Sequence, residues 1–280
     1  MPAQPVRRIV LCADDYGISK GVNAAIRDLL AHGRINATSA MTVAPALTMS
    51  EAASLAALKA ARPQIAVGLH FTLTAPFRPA SANYAPARDG TFLKLPATLG
   101  SAVLARLDRE LIANELRAQI RAFAALFGFS PDYVDGHQHV QIFPQVRDAL
   151  LGVMRETLRG VWVRQCGRVT PISARLSDRK GVLLDVMSAG FRKRAAAAGV
   201  PVNPAFAGSY DFGGNPDFAA LFPKFLDGLP GDSVVMCHPG FVDEELKALD
   251  PLTNLREREY AFFAGAAFPE ILRSARVTLS

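Results

Sequence analysis

The sequence contains little that could cross-link the chain. It has three cysteines, Cys12, Cys166 and Cys237, which lie far apart and form no Cys-x-x-Cys pair. An odd number of scattered cysteines does not make a disulfide framework and is typical of buried thiols in a reducing compartment. We therefore expect a cytoplasmic protein.

Long apolar runs are also absent from the sequence. No segment approaches the roughly 20 apolar residues of a membrane-spanning helix, and the N-terminal run "RIVL" is too short for a signal-peptide core. The formal net charge is +6, but the basic residues are dispersed along the chain. Their densest group, "FRKRAAAAG", has no interleaved aromatic residues, so we expect no nucleic-acid partner. From the lack of a long apolar run we expect no membrane span.

Short apolar strands alternate with helical patterns along nearly the whole chain. Seven or eight such β-then-α units predict an α/β fold with a parallel sheet covered by helices. No G-x-G-x-x-G follows the first strand, which favours a (β/α) barrel over an open dinucleotide-binding sheet. We see no linker or repeat and expect a single catalytic domain over residues 1–280. It would contain a long loop insertion at about 75–105 and a last helix over about 254–274.

Polar residues stand where the predicted strands end. Because the carboxyl ends of parallel strands form one face of a barrel, these side chains should converge there. Four of the five histidines belong to this set. The set comprises Asp14, Asp15, His70, Asp135, His137, His139 and His238.

Metal-assisted hydrolysis is the chemistry that suits this set. Two imidazoles and one carboxylate, with open positions for water and substrate, are typical of catalytic divalent-metal sites. Of the adjacent pair Asp14 and Asp15, one could bind the cation, which would offset their repulsion, and the other could act as general base. Neighbours in an extended strand point to opposite faces, so the chain must leave extended geometry at this pair.

The segment "DGHQH" and the late strand supply the remaining groups. If "DGHQH" is extended, Asp135, His137 and His139 share one face. Both histidines could then approach one metal, or one could contact substrate, while Asp135 orients an imidazole. His238 is distant in sequence and free to act as a general acid.

Four segments in this order resemble the signature motifs of the YdjC-like carbohydrate deacetylases: "ADDYGIS", "GLHFTLT", "DGHQHVQIFP" and "MCHPGFVD". That family includes chitooligosaccharide deacetylases and hopanoid-biosynthesis-associated deacetylases. The resemblance implies a distorted TIM-like barrel related to polysaccharide deacetylases. It also implies removal of the N-acetyl group from an acetylated amino sugar, either a chitooligosaccharide or a glucosaminyl lipid, with release of acetate.

Site roles follow from the resemblance by position. The metal ligands would be Asp15, His70 and His137, with His139 as an alternative ligand or a substrate contact. Asp14 would match the catalytic base and His238 the acid.

The resemblance implies one divalent metal ion and leaves its identity open among Mg, Zn, Mn and Co. The partner would be a small acetylated amino sugar, and a homodimer is compatible with the relatives. Gln141 stands where chitobiose-specific members carry a further histidine, so the amino sugar is left open.

Sugar contacts are less clearly indicated by the sequence. Tyr16 and Phe71 adjoin motif residues and could stack on a pyranose, with core packing as the alternative. Arg164 ends an apolar strand and could reach substrate or form a structural ion pair. Arg256 and Glu257 are expected on a helix surface.

Two other functions remain compatible with these residues. One is a different metallohydrolase, of the amidohydrolase or phosphoesterase type. In amidohydrolases the His-x-His pair typically ends the first strand, whereas here the aspartate pair comes first. The other is a sugar- or metal-binding barrel without turnover.

Overall fold

At the centre of the fold is a sheet of seven strands, all of them parallel. The computed structural model describes residues 5–84, 86–87, 89–169, 179–212 and 214–279, with only the backbone described at 179 and 180. The spatial order of the sheet is β6-β5-β4-β3-β2-β8-β7. Its strands are β2 (Val10–Tyr16), β3 (Ala37–Ala40), β4 (Ala66–Phe71), β5 (Tyr133–Gly136), β6 (Trp162–Val163), β7 (Phe206–Ala207) and β8 (Val234–Cys237). A separate pair joins the two ends of the chain, β1 (Arg7–Arg8) with β9 (Val277–Thr278).

The two edges of the sheet curl towards each other. Val163 forms an isolated parallel bridge with Val202, and its N–H donates to the Pro201 carbonyl at 2.9 Å. The Phe206 N–H donates to the Gly167 carbonyl at 3.1 Å. The predicted distorted (β/α) barrel is thus confirmed, with a sparsely bonded seam between its two shortest strands.

Helices connect the strands and cover the sheet. They are α1 (Lys20–Ala31), α2 (Met49–Ala61), α3 (Leu95–Val103), α4 (Arg109–Phe127), α5 (Pro144–Thr157), α6 (Arg179–Ala198), α7 (Phe218–Leu226), α8 (Glu244–Leu249), α9 (Arg256–Ala264) and α10 (Ala267–Ser274). α1 begins after Ser19, whose hydroxyl accepts from the Val22 N–H. Among the helices of the described residues, none has both the length and the hydrophobicity of a membrane-spanning segment.

Two predicted elements differ in the structure. The segment expected as a loop at 75–105 contains α3, which starts with a proline in its first turn; residues 85 and 88 of that segment lie outside the described residues. The last helix, expected over 254–274, is two helices, because Gly265 has extended backbone angles and ends α9.

The loop before α3 is fastened to α4 by a buried carboxylate. Glu115 is fully buried and accepts from the Ala80 and Ser81 N–H groups at 2.9 and 2.8 Å. Gln119, one turn along, donates to Glu115 at 2.7 Å and also bonds the backbone of Thr72. α4 therefore ties the loop to the end of β4.

We expect Glu115→Ala to lower the free energy of unfolding by about 1–3 kcal/mol, because two backbone N–H groups and the buried Gln119 amide lose their acceptor. Denaturant unfolding measures the change. Glu110→Ala on the same helix is the control, since its side chain is 76% exposed and such changes usually stay within about 0.5 kcal/mol. Equal stability of the two variants would contradict the anchoring role.

Candidate functional site

A bulge in β2 separates the directions of the two adjacent aspartates. β2 pairs with β3 at Ala13–Thr38 and again at Tyr16–Ala40, so β2 carries one extra residue between these points. Asp15 lies in the bulge with φ +70°, a left-handed conformation that aspartate adopts more readily than most residues. The chain leaves extended geometry at the pair, as the sequence predicts, and each carboxylate meets its own set of partners.

Asp15, His70 and His137 converge at the carboxyl ends of the strands. All three side chains are buried. Asp15 Oδ1 lies 3.3 Å from His70 Nε2 and 3.0 Å from His137 Nδ1. One ligand atom from each residue lies within 4.8 Å of the others. The structure therefore brings together the three residues that the sequence analysis named as ligands.

Asp135 and Ser39 orient the His70 ring. His70 Nδ1 lies 2.6 Å from Asp135 Oδ1 and 3.1 Å from the Ser39 hydroxyl. Burial lowers the pKa of His70, but Asp135 and Asp15 outweigh it and raise the pKa to about 10. The Asp135 contact places a proton on Nδ1, which leaves Nε2 as the atom that faces Asp15.

Asp14 is held by both of its oxygens. Arg164 donates to Oδ2 at 2.6 Å and to Oδ1 at 2.7 Å, and it also pairs with Asp135 at 2.5 Å. Burial raises the pKa of the Asp14 carboxyl, but the Arg164 guanidinium together with His70 and His238 outweighs burial and holds this pKa well below its ordinary value. Asp14 is therefore ionised at neutral pH.

Cys12, Asp14 and Asp135 form a second group with metal-ligating atoms. The Arg164 guanidinium contacts all three residues, with Nη2 at 3.0 Å from the Cys12 sulfur. One guanidinium thus contacts every member of this group, whereas in the group around Asp15 an arginine contacts Asp15 alone.

Arg256 pairs with Asp15, and the sequence analysis did not identify this arginine as part of the site. It is 1% exposed, and its Nη2 donates to Asp15 Oδ2 at 2.7 Å and to Asp250 Oδ2 at 2.9 Å. The expectation of a helix-surface position was wrong, because this side of α9 faces the barrel. A signal was present: Arg256, Glu259 and Phe263 recur at helical spacing and are the buried residues of α9.

"DGHQH" is not extended beyond Gly136. His137 begins a short 3₁₀ helix that runs to Ile142, and Gln138 and His139 have left-handed φ values of 54° and 60°. The predicted shared face is therefore wrong. His137 turns to Asp15, whereas His139 Nδ1 lies 3.5 Å from the Cys166 sulfur, and burial lowers the pKa of His139 to about 3.

His238 follows β8 at the same edge of the barrel. Ala13 pairs with Cys237 in the register, so Asp14 and His238 are the next residues of adjacent strands. Glu259 accepts the His238 N–H at 2.6 Å. Among the described residues, no group hydrogen-bonds the buried His238 Nδ1.

The three candidate sugar contacts are all fully buried. Tyr16 and Phe71 are 0% exposed, as is Arg164. The Tyr16 hydroxyl donates to the Glu51 carbonyl at 3.0 Å, and Arg164 is engaged by Asp14 and Asp135. Their predicted role as sugar contacts is therefore not supported by the structure: Tyr16 and Phe71 pack in the core, and Arg164 forms the structural ion pair.

The donor set around Asp15 fits a divalent cation. Imidazole nitrogens and a carboxylate oxygen suit Zn²⁺ and the other first-row metals. The ring of His70 is fixed from behind by Asp135, as is usual for a ligating histidine. Asp15, His70 and His137 would hold the ion, and Asp14 lies beside them with its oxygens bound to Arg164.

Comparisons with known proteins agree with the motifs. The family model described as "YdjC-like protein" matches residues 8–274. A chitooligosaccharide deacetylase of Klebsiella pneumoniae strain 342 is 31% identical over 247 residues, covering 86% of this chain and 84% of the relative. The chitooligosaccharide deacetylase of Citrobacter koseri is 30% identical over 245 residues, covering 86% and 84%.

The fold also has a solved counterpart. It is the crystal structure of an Enterococcus faecalis V583 protein described as a candidate for cellobiose-phosphate cleavage. The TM-score is 0.72 at 20% identity, with 98% of this chain and 97% of that chain covered. Since the family model spans nearly the whole sequence, this chain belongs to the YdjC-like protein family.

Proposed function

We propose that the protein is a metal-dependent carbohydrate deacetylase that hydrolyses the N-acetyl group of an acetylated amino sugar. The observation that carries the proposal is the convergence of Asp15, His70 and His137 within 4.8 Å, beside an ionised Asp14. The chitooligosaccharide deacetylases that resemble this chain over most of their length support the substrate class.

One divalent cation would be held by Asp15, His70 and His137. It would act as a Lewis acid on the acetamide carbonyl. Asp14 accepts a proton from the water that attacks the carbonyl carbon. His238, whose Nδ1 has no hydrogen-bond partner among the described residues, donates a proton to the leaving nitrogen. Water and amide are thereby converted to acetate and a free amine, and each proton transfer typically contributes about 10²–10⁴-fold.

Acetate release from N-acetylated chitooligosaccharides tests the proposed function. We expect turnover by the purified protein, its loss after treatment with a chelator, and its return on addition of Mn²⁺, Zn²⁺, Co²⁺ or Mg²⁺. Phosphate esters and cyclic amides are the comparison substrates. Turnover of these instead would favour another metallohydrolase, and sugar binding without acetate release would indicate a non-catalytic barrel.

Paired histidine variants test the ligand assignment. We expect His137→Ala to weaken divalent-metal affinity by about 10-fold or more. Loss of a group that merely hydrogen-bonds a metal ligand typically lowers metal affinity about 10–100-fold, and loss of the ligand itself should cost at least as much. His139→Ala should bind metal as the wild type does, since His139 lies against Cys166 and Phe206. Calorimetric titration measures both variants, and the reverse order would show that His139 is the ligand.

The pH profile of turnover tests the pairing of Asp14 with Arg164. Arg164 is the largest influence that lowers the pKa of Asp14, whereas burial raises it. Loss of the guanidinium in Arg164→Met therefore raises this pKa, and the base becomes protonated at a higher pH. We expect the acid limb of kcat/KM to move to higher pH.

The position of this limb does not depend on the amount of folded protein, so reduced stability of the variant does not obscure the result. Asp14→Asn is the control and should lose most turnover at every pH while it still binds metal. An acid limb that stays in place in Arg164→Met would argue against Asp14 as the base.

A further inference from the structure

The carboxylate of Asp15 is divided between two kinds of partner. Its Oδ1 faces His70 and His137 at 3.3 and 3.0 Å. Its Oδ2 accepts from Arg256 at 2.7 Å. The residue proposed as the anionic metal ligand thus already has a full positive charge bound to its second oxygen.

The Arg256 side chain is buried and held beside Asp15 by hydrogen bonds to residues that precede α9. It is 1% exposed, and its Nε donates to the Leu252 carbonyl at 2.8 Å. Its Nη2 also pairs with Asp250 at 2.9 Å, and its Nη1 has no acceptor among the described residues. Because Nε and Nη2 are both engaged, the guanidinium cannot leave Asp15 without losing these partly buried hydrogen bonds.

From these contacts we infer that Arg256 is the resident counterion of Asp15 and keeps the affinity of the site for a divalent cation below what its three ligands alone would give. The inference rests on the proposed function, since it concerns the same metal site. A buried carboxylate without a partner is costly, and Arg256 removes that cost before any cation arrives. A cation that binds Oδ1 gains less from Asp15, because it is also repelled by the guanidinium a few ångströms away.

This arrangement has two consequences for the protein. The barrel can fold with its aspartates compensated when no cation is present. The bound ion also keeps more of its own charge, because Asp15 is partly neutralised by Arg256. Arg256 is thus a positioning residue that acts through Asp15.

The test compares the metal-stripped wild type with Arg256→Met and Arg256→Lys by calorimetric titration with Mn²⁺ at one fixed pH near neutrality. We expect Arg256→Met to bind Mn²⁺ about tenfold more tightly or better, because a like charge close to the ion is gone. Its melting temperature without Mn²⁺ should fall, and saturating Mn²⁺ should raise it by more than in the wild type. Arg256→Lys should bind at least as tightly as the wild type.

Arg258→Met is the matched control, since it makes the same change on the same helix at a residue that contacts Pro216. It should leave the Mn²⁺ affinity unchanged. Asp250→Asn should weaken Mn²⁺ binding, because Arg256 then has Asp15 as its remaining anionic partner.

Weaker Mn²⁺ binding by either Arg256 variant would overturn the inference and leave the proposed function intact. If Arg256→Met folds only with Mn²⁺ present, the inference is supported; if it folds in neither condition, the affinity of Arg256→Lys decides. A wild type that binds no Mn²⁺, Zn²⁺, Co²⁺ or Mg²⁺ at all would contradict the proposed metal site itself.

Discussion

The structure depends on charge compensation at two adjacent buried aspartates. The sequence suggested that a metal ion offsets their repulsion, and the structure adds two arginines on distant elements as countercharges. Arg164 binds both oxygens of Asp14, whereas Arg256 binds only one oxygen of Asp15. The two aspartates therefore differ in what they contact: both oxygens of Asp14 are bound by arginine, whereas Asp15 keeps one oxygen directed at His70 and His137.

Irregular backbone places the candidate ligands. A regular β2 would point neighbouring side chains to opposite faces, and the bulge with a left-handed Asp15 changes that direction. In the same way, the end of β5 at Gly136 and the following 3₁₀ turn separate His137 from His139. Both irregularities lie at the carboxyl ends of strands, where the sheet no longer dictates the direction of the chain.

Most of the barrel, the three candidate ligands and the orienting Asp135 could be predicted from the sequence, whereas the buried Arg256 and Glu259 could not. Apolar strands followed by polar residues give a periodic signal, so Asp15, His70 and His137 were visible. Arg256 and Glu259 lie in a charged helical segment, and charge in a helix usually indicates solvent. The spacing of Arg256, Glu259 and Phe263 marks one face of α9, but only the packing of α9 against the barrel shows that this face is buried.

The order of synthesis gives the two ion pairs a further significance. Asp14 precedes its arginine by 150 residues and Asp15 precedes its own by 241. On the ribosome, the first strand of the sheet therefore emerges long before either of its countercharges exists. Burial of an unpaired carboxylate is costly, and Asp15 acquires its guanidinium partner only after α9 has been translated. A late-translated helix thus completes the charge compensation of an early-translated strand.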